Sequence, residues 1–507
     1  MESRSKKFFY NTLFTALLQV VNVIAALIVP RFMLRFYGSD INGLVTSITQ
    51  FINYFNLVEA GLSAAAIYAL YKPLAEKNEA RVSEIVSASR RFYMQAGWVF
   101  TALTVLLAVL YPLYIDAPAL SYAETALLVL ALGAGGFLEF FTLAKYRVIL
   151  TADQKTYVIS VASILHVALQ TAIIALLSAL SVSVLVARAV AIASLLLRSL
   201  LLYLYCRRAY PRVQYYAKAD MGALDKRWDA MFLQILGAIH QGTTVLLLTL
   251  VTRDLTLVSV FSVFNIVVMG LNSILGVFNS GLAASFGEVI VKGEREVLKK
   301  AYREFEGGFY MLISFVFAVS FVMIMPFVDL YTANILDADY HRPLVGFLIV
   351  LNTYLYHLKT PQGMLVISAG MYRETRWRTL TQGLIALLGG AALAVPFGLE
   401  GILVAAIASN LYRDFDLAVF CARRITGTRV RDTAFAILRS VAAVVISVLP
   451  FCFFPITADS WLSWIVYACL ASLVAGGVTL AIALVFDRAT LFGILARIPT
   501  VFGRGKK

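Results

Sequence analysis

Residues 91–114 read RFYMQAGWVFTALTVLLAVLYPLY, an apolar run behind a basic residue. The run is long enough to cross a lipid bilayer, which takes about 20 apolar residues. Residues 308–330 read GFYMLISFVFAVSFVMIMPFVDL, with the same Phe-Tyr-Met at the start and a similar apolar length. Met94 and Met311 of these two motifs lie 217 positions apart. A membrane-crossing segment of the same kind therefore occurs twice in the chain.

Two further motifs recur in the same order and at nearly the same shift. Leu150-Thr151-Ala152 matches Ile367-Ser368-Ala369, again 217 positions later. The run 204–208, LYCRR, resembles the run 419–424, VFCARR, with Cys206 and Cys421 lying 215 positions apart. Matches that keep their order and spacing indicate an internal repeat. We infer two halves of about six spans each, followed by two additional spans.

Composition supports a membrane protein, because 61% of the residues are hydrophobic and only 14% are charged. The predicted spans are 8–35, 43–70, 92–114, 124–149, 157–179, 183–205, 229–252, 257–285, 308–330, 343–368, 378–396, 400–422, 433–454 and 461–486. The sequence thus predicts an all-α polytopic fold of about 14 transmembrane helices. Its predicted parts are an N-lobe (1–206), a cytoplasmic linker (207–228), a C-lobe (229–424), two more helices (425–486) and an amphipathic basic tail (487–507). The lobes are expected to be pseudo-symmetric six-helix units.

The basic residues predict the orientation. Of the 43 Lys and Arg residues, those on the outward side are Arg31, Arg35, Arg253 and Arg342. Those inside spans are Arg188, Arg198, Arg413 and Arg439, and we assign the others to cytoplasmic tails, loops and span ends. Because short basic loops resist translocation, both termini are expected to be cytoplasmic. The net charge of +14 then reflects topology and contact with anionic membrane lipids, and a nucleic-acid partner is not expected.

The sequence contains no motif of a soluble enzyme. There is no phosphate-binding glycine loop, no His-x-x-x-His metal helix and no nucleophile elbow. A membrane-embedded glycan polymerase or ligase would need acid and base residues in an outward loop. The outward loop at 329–342 supplies Asp337, Asp339, His341 and Arg342. We therefore predict that the protein is not an enzyme and has no cofactor.

Polar side chains recur inside two spans at the spacing of a helix face. The second span carries Asn42, Thr46, Thr49, Asn53 and Asn56, and the eighth carries Asn265, Asn272 and Asn279. Such groups are costly in hydrocarbon unless they bond a neighbour or face water. They either line a cavity or join neighbouring helices, as polar residues do in membrane bundles.

Two arginines inside spans are related by the repeat. Arg198 in the sixth span and Arg413 in the twelfth lie 215 positions apart. Charged residues at this depth are rarely kept without a use, and arginine suits phosphate groups. The alternative is a structural ion pair, for which Glu139 and Asp416 are the available partners. Both interpretations can hold together.

Three more residues are candidates. Arg31 and Arg253 stand at matching outer ends of the first and seventh spans, either as substrate-binding residues or as anchors that reach the interface. Glu59 in the second span has no counterpart in the eighth. A partly desolvated carboxylate can titrate near neutral pH, so Glu59 is the candidate for proton or sodium coupling.

The N-terminal region also carries a family resemblance. Its motifs are Pro30-Arg31-Phe32, Tyr37-Gly38, Ile41-Asn42-Gly43-Leu44, Leu57-Val58-Glu59-Ala60-Gly61-Leu62 and Ala69-Leu70-Tyr71-Lys72-Pro73-Leu74-Ala75. This pattern resembles the Wzx-type oligosaccharide flippases, which are bacterial polysaccharide-biosynthesis proteins of the multidrug/oligosaccharidyl-lipid/polysaccharide (MOP) superfamily. The resemblance covers residues 8–90, and beyond them it rests on topology and the repeat.

The resemblance implies two six-helix lobes around a central cavity, in the bacterial cytoplasmic (inner) membrane. It implies a polyprenyl (undecaprenyl) diphosphate-linked oligosaccharide as substrate, moved from the inner to the outer leaflet by alternating access for O-antigen, capsule or exopolysaccharide synthesis. A polysaccharide polymerase is a possible partner. In this hypothesis Arg198 and Arg413 neutralise the diphosphate, while Asn53, Asn56, Asn272 and Asn279 bind sugar hydroxyls. A cation-coupled multidrug antiporter of the same superfamily is the alternative.

Overall fold

A computed structural model of the chain describes residues 4–59, 62–220, 242–279, 286, 289–290, 292, 294–488 and 490–493. Those residues form helices and short connections, without any strand among them. The predicted all-α class is therefore confirmed. The first part of the seventh predicted span (229–241), part of the linker and most of the tail lie outside the described residues.

The described residues group into two compact units. Unit 1 comprises residues 1–262 and 335–338, and unit 2 comprises residues 263–334 and 339–507. The division falls within a single helix, α9 (Leu255–Asn279). The lobe boundaries at 206 and 229 stay predictions.

Unit 1 contains eight described helices and the first part of α9. The eight are α1 (Arg4–Phe55), α2 (Leu62–Ala75), α3 (Glu79–Tyr114), α4 (Tyr122–Leu138), α5 (Ala144–Ala152), α6 (Thr156–Ala179), α7 (Val184–Ala209) and α8 (Gly242–Thr252). Helix α1 packs along α6, α6 along α7, and α3 along α4. Their buried faces form one apolar core that includes Tyr93, Phe100 and Leu128.

Helix α9 (Leu255–Asn279) runs from unit 1 into unit 2. The other described helices of unit 2 are α10 (Arg295–Thr332), α11 (Pro343–Leu358), α12 (Thr360–Ser368), α13 (Tyr372–Leu384), α14 (Gly390–Cys421), α15 (Val430–Phe453) and α16 (Trp461–Phe486). Helix α10 packs against α11, α15 and α16, and α11 packs against α14.

Two of the long helices contain a glycine at which the backbone leaves helical geometry. Gly38 has φ 84° inside α1, and Gly398 has φ 55° inside α14. This left-handed region is open to glycine at little cost, so each glycine lets the chain turn between two spans. Ten described helical segments are long and apolar enough to cross a membrane. One of them, Arg373–Thr426, contains two predicted spans, 378–396 and 400–422. Another, Phe9–Glu59, contains nearly all of the first predicted span and the first part of the second (43–70), whose later residues lie in α2. The tenth predicted span is divided at Lys359 into α11 and α12.

Glycine also allows a close helix contact in unit 1. A Cβ placed on Gly43 would lie 1.8 Å from the carbonyl oxygen of Leu255. The backbone of α1 therefore approaches the start of α9 more closely than any side chain permits. Small residues commonly have this role where membrane helices cross.

A charged cluster holds the connection between α5 and α6. The Asp153 carboxylate accepts hydrogen bonds from Lys7 (3.0 Å) and Tyr210 (2.7 Å) and pairs with Lys155 (2.8 Å). Burial raises the pKa of the Asp153 carboxyl, but the hydrogen bonds from Lys155, Tyr210 and Lys7 outweigh it, so its pKa lies below the usual value. The start of α1 and the end of α7 are thus fastened to one loop.

The described part of the predicted linker binds to α3. The backbone N–H of Gln214 donates to Ser83 Oγ (3.0 Å), and that of Ala217 donates to Ser87 Oγ (2.9 Å). Residues 210–220 therefore belong to unit 1.

Candidate functional site

Local helix geometry aligns two charged residues in unit 1. Residues Glu139–Leu143 form a π-helical turn between α4 and α5. One α-turn takes 3.6 residues and a π-turn takes roughly 4.4, so two successive turns take about eight. Arg147 stands eight positions after Glu139 and therefore lies on the same face of the helix. Its Nη1 atom is 3.0 Å from Glu139 Oε1, an ion-pair distance without hydrogen-bond alignment.

The two residues belong to a chain of four alternating charges. Arg147 Nη2 donates to both carboxylate oxygens of Glu59, each at 2.9 Å. On the other side, Arg198 Nη1 lies 3.2 Å from Glu139 Oε2. The side chains are between 16% and 26% exposed, so water screens these pairs only in part. Two arginines balance two glutamates, and the cluster is neutral.

Two of the predicted site residues belong to this cluster. Arg198 is paired with Glu139, the structural partner that the sequence had offered as the alternative. Glu59, the candidate for ion coupling, has both oxygens bound by Arg147, which was not among the residues that the sequence singled out. Both residues therefore hold unit 1 together in this conformation.

Arg413 lies in a different kind of cluster in unit 2. Its Nη1 donates to Asp416 Oδ2 at 2.7 Å, and its Nη2 donates to Thr379 Oγ1 at 3.0 Å. Arg378 on α13 pairs with the other oxygen of Asp416. Asp416 and Arg413 are 9% and 8% exposed, while Arg378 is 45% exposed. Two arginines share one carboxylate, which leaves one positive charge in excess.

Arg198 and Arg413 therefore occupy corresponding positions in the sequence repeat, but their surroundings differ. Arg198 pairs with a glutamate 59 positions earlier, on another helix segment. Arg413 pairs with a residue one turn further along its own helix. The first cluster is neutral, and the second carries the excess charge.

A broken helix in unit 2 carries a further polar cluster. Lys359 stands between α11 and α12, directly before Thr360-Pro361, and its Nζ donates to Asn410 Oδ1 at 2.6 Å. The same oxygen accepts from Gln382 Nε2 at 3.2 Å, and Asn410 Nδ2 donates to Asn352 Oδ1 at 2.9 Å. Transporters often place polar sites where a membrane helix is interrupted.

Asp414 lies one helical turn after Asn410 on α14. Both of its carboxylate oxygens are buried, and neither has a hydrogen-bond partner among the described residues. The Lys359 ammonium, which binds Asn410 one turn earlier on this helix, is the cation held near it, and no hydrogen bond joins the two groups. Buried polar atoms are usually satisfied, so this carboxylate is exceptional.

Some residues of the predicted polar stripes form hydrogen bonds between helices, and others are exposed. Asn42 is buried, and its Nδ2 donates to Ser259 Oγ (2.8 Å) and Ser262 Oγ (3.1 Å) within unit 1. Asn53 is exposed, and Asn56 is half-buried in the 3-10 turn Asn56–Glu59. The stripe of the second span therefore joins helices at Asn42 and is open further along, at Asn53.

In the eighth span, Asn272 is exposed as a residue, and its Oδ1 lies 2.8 Å from His357 Nε2. The side chain of Asn279 lies outside those that the structure describes.

The outer arginines have separate surroundings. The Arg253 guanidinium lies over the Tyr114 ring, 4.0 Å from its centroid, within unit 1. Its backbone is left-handed, with φ 55°, where it ends the helix α8. Arg31 is half-buried within α1. Among the described residues, no group of three or more His, Cys, Asp and Glu side chains could hold a metal ion.

Sequence reasoning missed four charged members of these clusters: Arg147, Arg378, Lys359 and Asp414. One signal was available, because Pro361 inside a predicted span indicates a helix break and Lys359 lies just before it. The other three could be placed only after the packing of the helices was known.

Comparison with solved structures identifies the fold. An inward-facing multidrug resistance MATE family transporter of the MOP superfamily is 16% identical, with TM-score 0.65 over 82% of this chain and 96% of its own. The lipid II flippase MurJ, in an inward closed conformation, is 12% identical, with TM-score 0.68 over 95% of this chain and 100% of its own. A MATE protein in a bent conformation is 15% identical, with TM-score 0.53 over 82% and 93%.

No family sequence model and no curated protein matches the chain. The structural likeness, at such low identity, concerns the fold. The protein is a polytopic membrane protein with the fold of MOP superfamily transporters.

Proposed function

We propose that the protein is a flippase, which moves a polyprenyl-diphosphate-linked oligosaccharide from the inner to the outer leaflet of the bacterial cytoplasmic membrane by alternating access. The observation that carries this proposal is the excess positive charge of unit 2, where Arg378 and Arg413 share Asp416. Arginine can bind phosphate oxygens in a forked geometry while it keeps its charge. A half-exposed Arg378 is available to an anionic head group.

The proposal matches the physical problem of the substrate. A diphosphate and a glycan cannot enter hydrocarbon without losing their hydration, whereas the prenyl chain can stay in the lipid. Positive charge offsets the cost of dehydrating the diphosphate. Exposed amides such as that of Asn53 offset the cost of dehydrating the glycan.

The extent of the structural likeness gives further support. The likeness to the lipid II flippase extends over 95% of this chain, and that to the MATE transporter over 82%. The uncovered 5% is shorter than α15 and α16 together, so the likeness to the lipid II flippase includes at least part of the region that follows the two repeats. Membrane lipids are the expected environment, and a polysaccharide polymerase remains a proposed partner.

A cation-coupled multidrug antiporter is the second candidate, because the MATE fold is also shared. Cationic drugs favour sites with excess negative charge. Unit 1 offers a neutral cluster at Glu59, and the arginine cluster of unit 2 is positive. The charges therefore favour an anionic substrate.

A membrane-embedded polymerase or ligase has less support. Of its candidate residues in the outward loop, Asp337 binds the backbone N–H and the hydroxyl of Ser39 at 2.6 and 2.7 Å. His341 Nδ1 lies 3.0 Å from Asp329 Oδ1. These contacts give both residues structural roles.

The test is transbilayer movement of a labelled polyprenyl-diphosphate oligosaccharide in proteoliposomes. Arg378→Gln removes the excess charge and leaves the pair of Arg413 with Asp416 intact, so the variant is expected to fold. A charge-assisted hydrogen bond is worth about 1.5–3 kcal/mol, so we expect the flipping rate to fall by about tenfold or more. Arg373→Gln, on the same helix and exposed, is the matched control and should flip at the wild-type rate.

Two results would contradict the proposal. One is wild-type protein that exports cationic dyes and flips no lipid-linked glycan, which selects the antiporter. The other is an equal flipping rate for Arg378→Gln and wild type, which would show that the excess positive charge at Arg378 does not contribute to transport.

A further inference from the structure

Asp414 is a buried carboxylate without a hydrogen bond in the part of unit 2 that the structure describes. An isolated charge of this kind costs several kcal/mol. Two conditions relieve that cost: a nearby positive charge, or a proton on the carboxylate itself. The surroundings of Asp414 allow both.

The nearby positive charge is Lys359, fixed at the break between α11 and α12. Its Nζ donates to Asn410 Oδ1 at 2.6 Å and lies 4.6 Å from the centroid of the Tyr356 ring. Both contacts favour an ammonium group. Asn410 lies one helical turn before Asp414 on α14, so this hydrogen bond holds the Lys359 ammonium near the carboxylate, without a hydrogen bond between the two groups.

The same contacts disfavour a metal cation. Hard cations are bound by several oxygens at once. The oxygen of Asn410 is already taken by Lys359 and Gln382, and that of Asn352 by Asn410. A sodium ion would have to displace the ammonium group to reach these oxygens. A proton needs only one carboxylate oxygen.

Other charged or titratable groups near this cluster have partners of their own, and His357 on α11 has its Nε2 2.8 Å from Asn272 Oδ1. On its own helix, Arg413 faces Asp416 and Thr379. From α10, the Tyr310 hydroxyl donates to the Leu358 carbonyl at 3.0 Å.

From α11, the Tyr354 hydroxyl shares a 2.7 Å hydrogen bond with Ser440. On α13, Arg378 faces Asp416. Each of these groups has a partner of its own, which leaves Lys359 as the cation held near Asp414.

We propose that Asp414 and Lys359 form a proton-binding site in unit 2, with the ammonium group of Lys359 as its fixed positive charge. Binding of a proton from water to one oxygen of Asp414 changes the pair from neutral to a charge of +1, and release restores neutrality. This inference rests on the proposed transport function in one respect: it names the proton, rather than sodium, as the coupling ion. It also differs from the sequence hypothesis, which gave that role to Glu59.

The site is tested without any substrate. Full-length protein in lipid nanodiscs is examined by infrared difference spectroscopy between neutral and acidic pH. Wild type should show the C=O stretching band of a carboxyl group that gains a proton, and Asp414→Asn should lose that component. Glu306→Gln is the control, since Glu306 is another buried carboxylate of unit 2 whose Oε1 accepts from Tyr302, Gln362 and Thr433. A band that persists in Asp414→Asn would overturn the proposal.

Folding is checked in the same samples. Asp414→Asn keeps the size of the side chain, and Lys359 keeps its hydrogen bond to Asn410, so the variant should still unfold in one cooperative thermal transition. Added NaCl should shift the wild-type midpoint no more than equal KCl does. A shift specific to sodium would show a sodium site and contradict the inference.

A transport measurement is the second part of the test. Wild-type flipping should respond to an imposed pH gradient and not to a sodium gradient, and Asp414→Asn should lose the response. If flipping fails altogether while the band is lost in Asp414→Asn, the proposed substrate is wrong and the proton site stands. If flipping occurs and the band does not depend on Asp414, the proton site is wrong and the flippase stands.

Discussion

Glu139→Gln removes the central carboxylate of the charge cluster in unit 1, and its cost can be worked out from the geometry. Glu139 lies 3.0 Å from Arg147 and 3.2 Å from Arg198. Without it, Arg147 keeps Glu59, whereas Arg198 has no carboxylate within the cluster. Breaking a fully buried pair costs about 3–5 kcal/mol, and an exposed pair is worth about 1 kcal/mol or less. The side chains are 16% and 19% exposed at the Arg198 pair, and the new amide oxygen still accepts, so we expect a loss of about 2–3 kcal/mol.

Arg198→Gln should cost less, about 1–2 kcal/mol, because Glu139 keeps Arg147 and no charge is left alone. The double variant should lose less than the sum of the two singles, since Glu139→Gln already leaves Arg198 unpaired. The free energies of unfolding are measured by denaturing titration in lipid–detergent micelles. Glu84→Gln is the surface control, since Glu84 is 39% exposed and pairs with Arg81 at the surface, and it should change stability by no more than about 0.5 kcal/mol. A larger loss from Arg198→Gln than from Glu139→Gln, or strict additivity, would refute this reasoning.

Three further predictions concern unit 1. Gly43→Ala should lose about 2–3 kcal/mol in the same titration, because its Cβ would meet the Leu255 backbone at 1.8 Å; an unchanged stability would contradict the close contact. Asn42→Ala should cost about 1 kcal/mol through its lost hydrogen bonds, whereas Asn53→Ala, at an exposed position, should leave stability unchanged. Because the pKa of Asp153 is lowered by folding, its stabilising contribution is present above its unfolded value of about 4 and is lost as pH falls through the lower folded pKa. The thermal midpoint of wild type should therefore fall more steeply in acid than that of Asp153→Asn, and equal slopes would contradict this.

Much of the fold could be read from the sequence, because a membrane span is defined by its own residues. The run 91–114 is apolar enough to cross a bilayer whatever surrounds it, and it is helical within α3. The same reasoning predicted a span on each side of Gly38, and in the structure both sides belong to one long helix that ends at Phe55, inside the second predicted span (43–70).

Partners across helices were harder to predict. Depth within the span suggested Glu139 for Arg198, and the structure has that pair. Arg147 was missed because its alignment with Glu139 depends on the π-turn at Glu139–Leu143, which hydropathy does not reveal.

The sequence by itself determined that this is an all-α membrane protein with repeated spans, since hydropathy and repeat spacing belong to each segment locally. Only the tertiary structure decided what each charged residue does. Arg198 is neutralised by Glu139, Arg413 shares Asp416 with Arg378, and Asp414 is left without a hydrogen bond among the described residues. The physical reason is that the cost of a buried charge depends on its neighbours within a few ångströms, and those neighbours come from helices far apart in the chain.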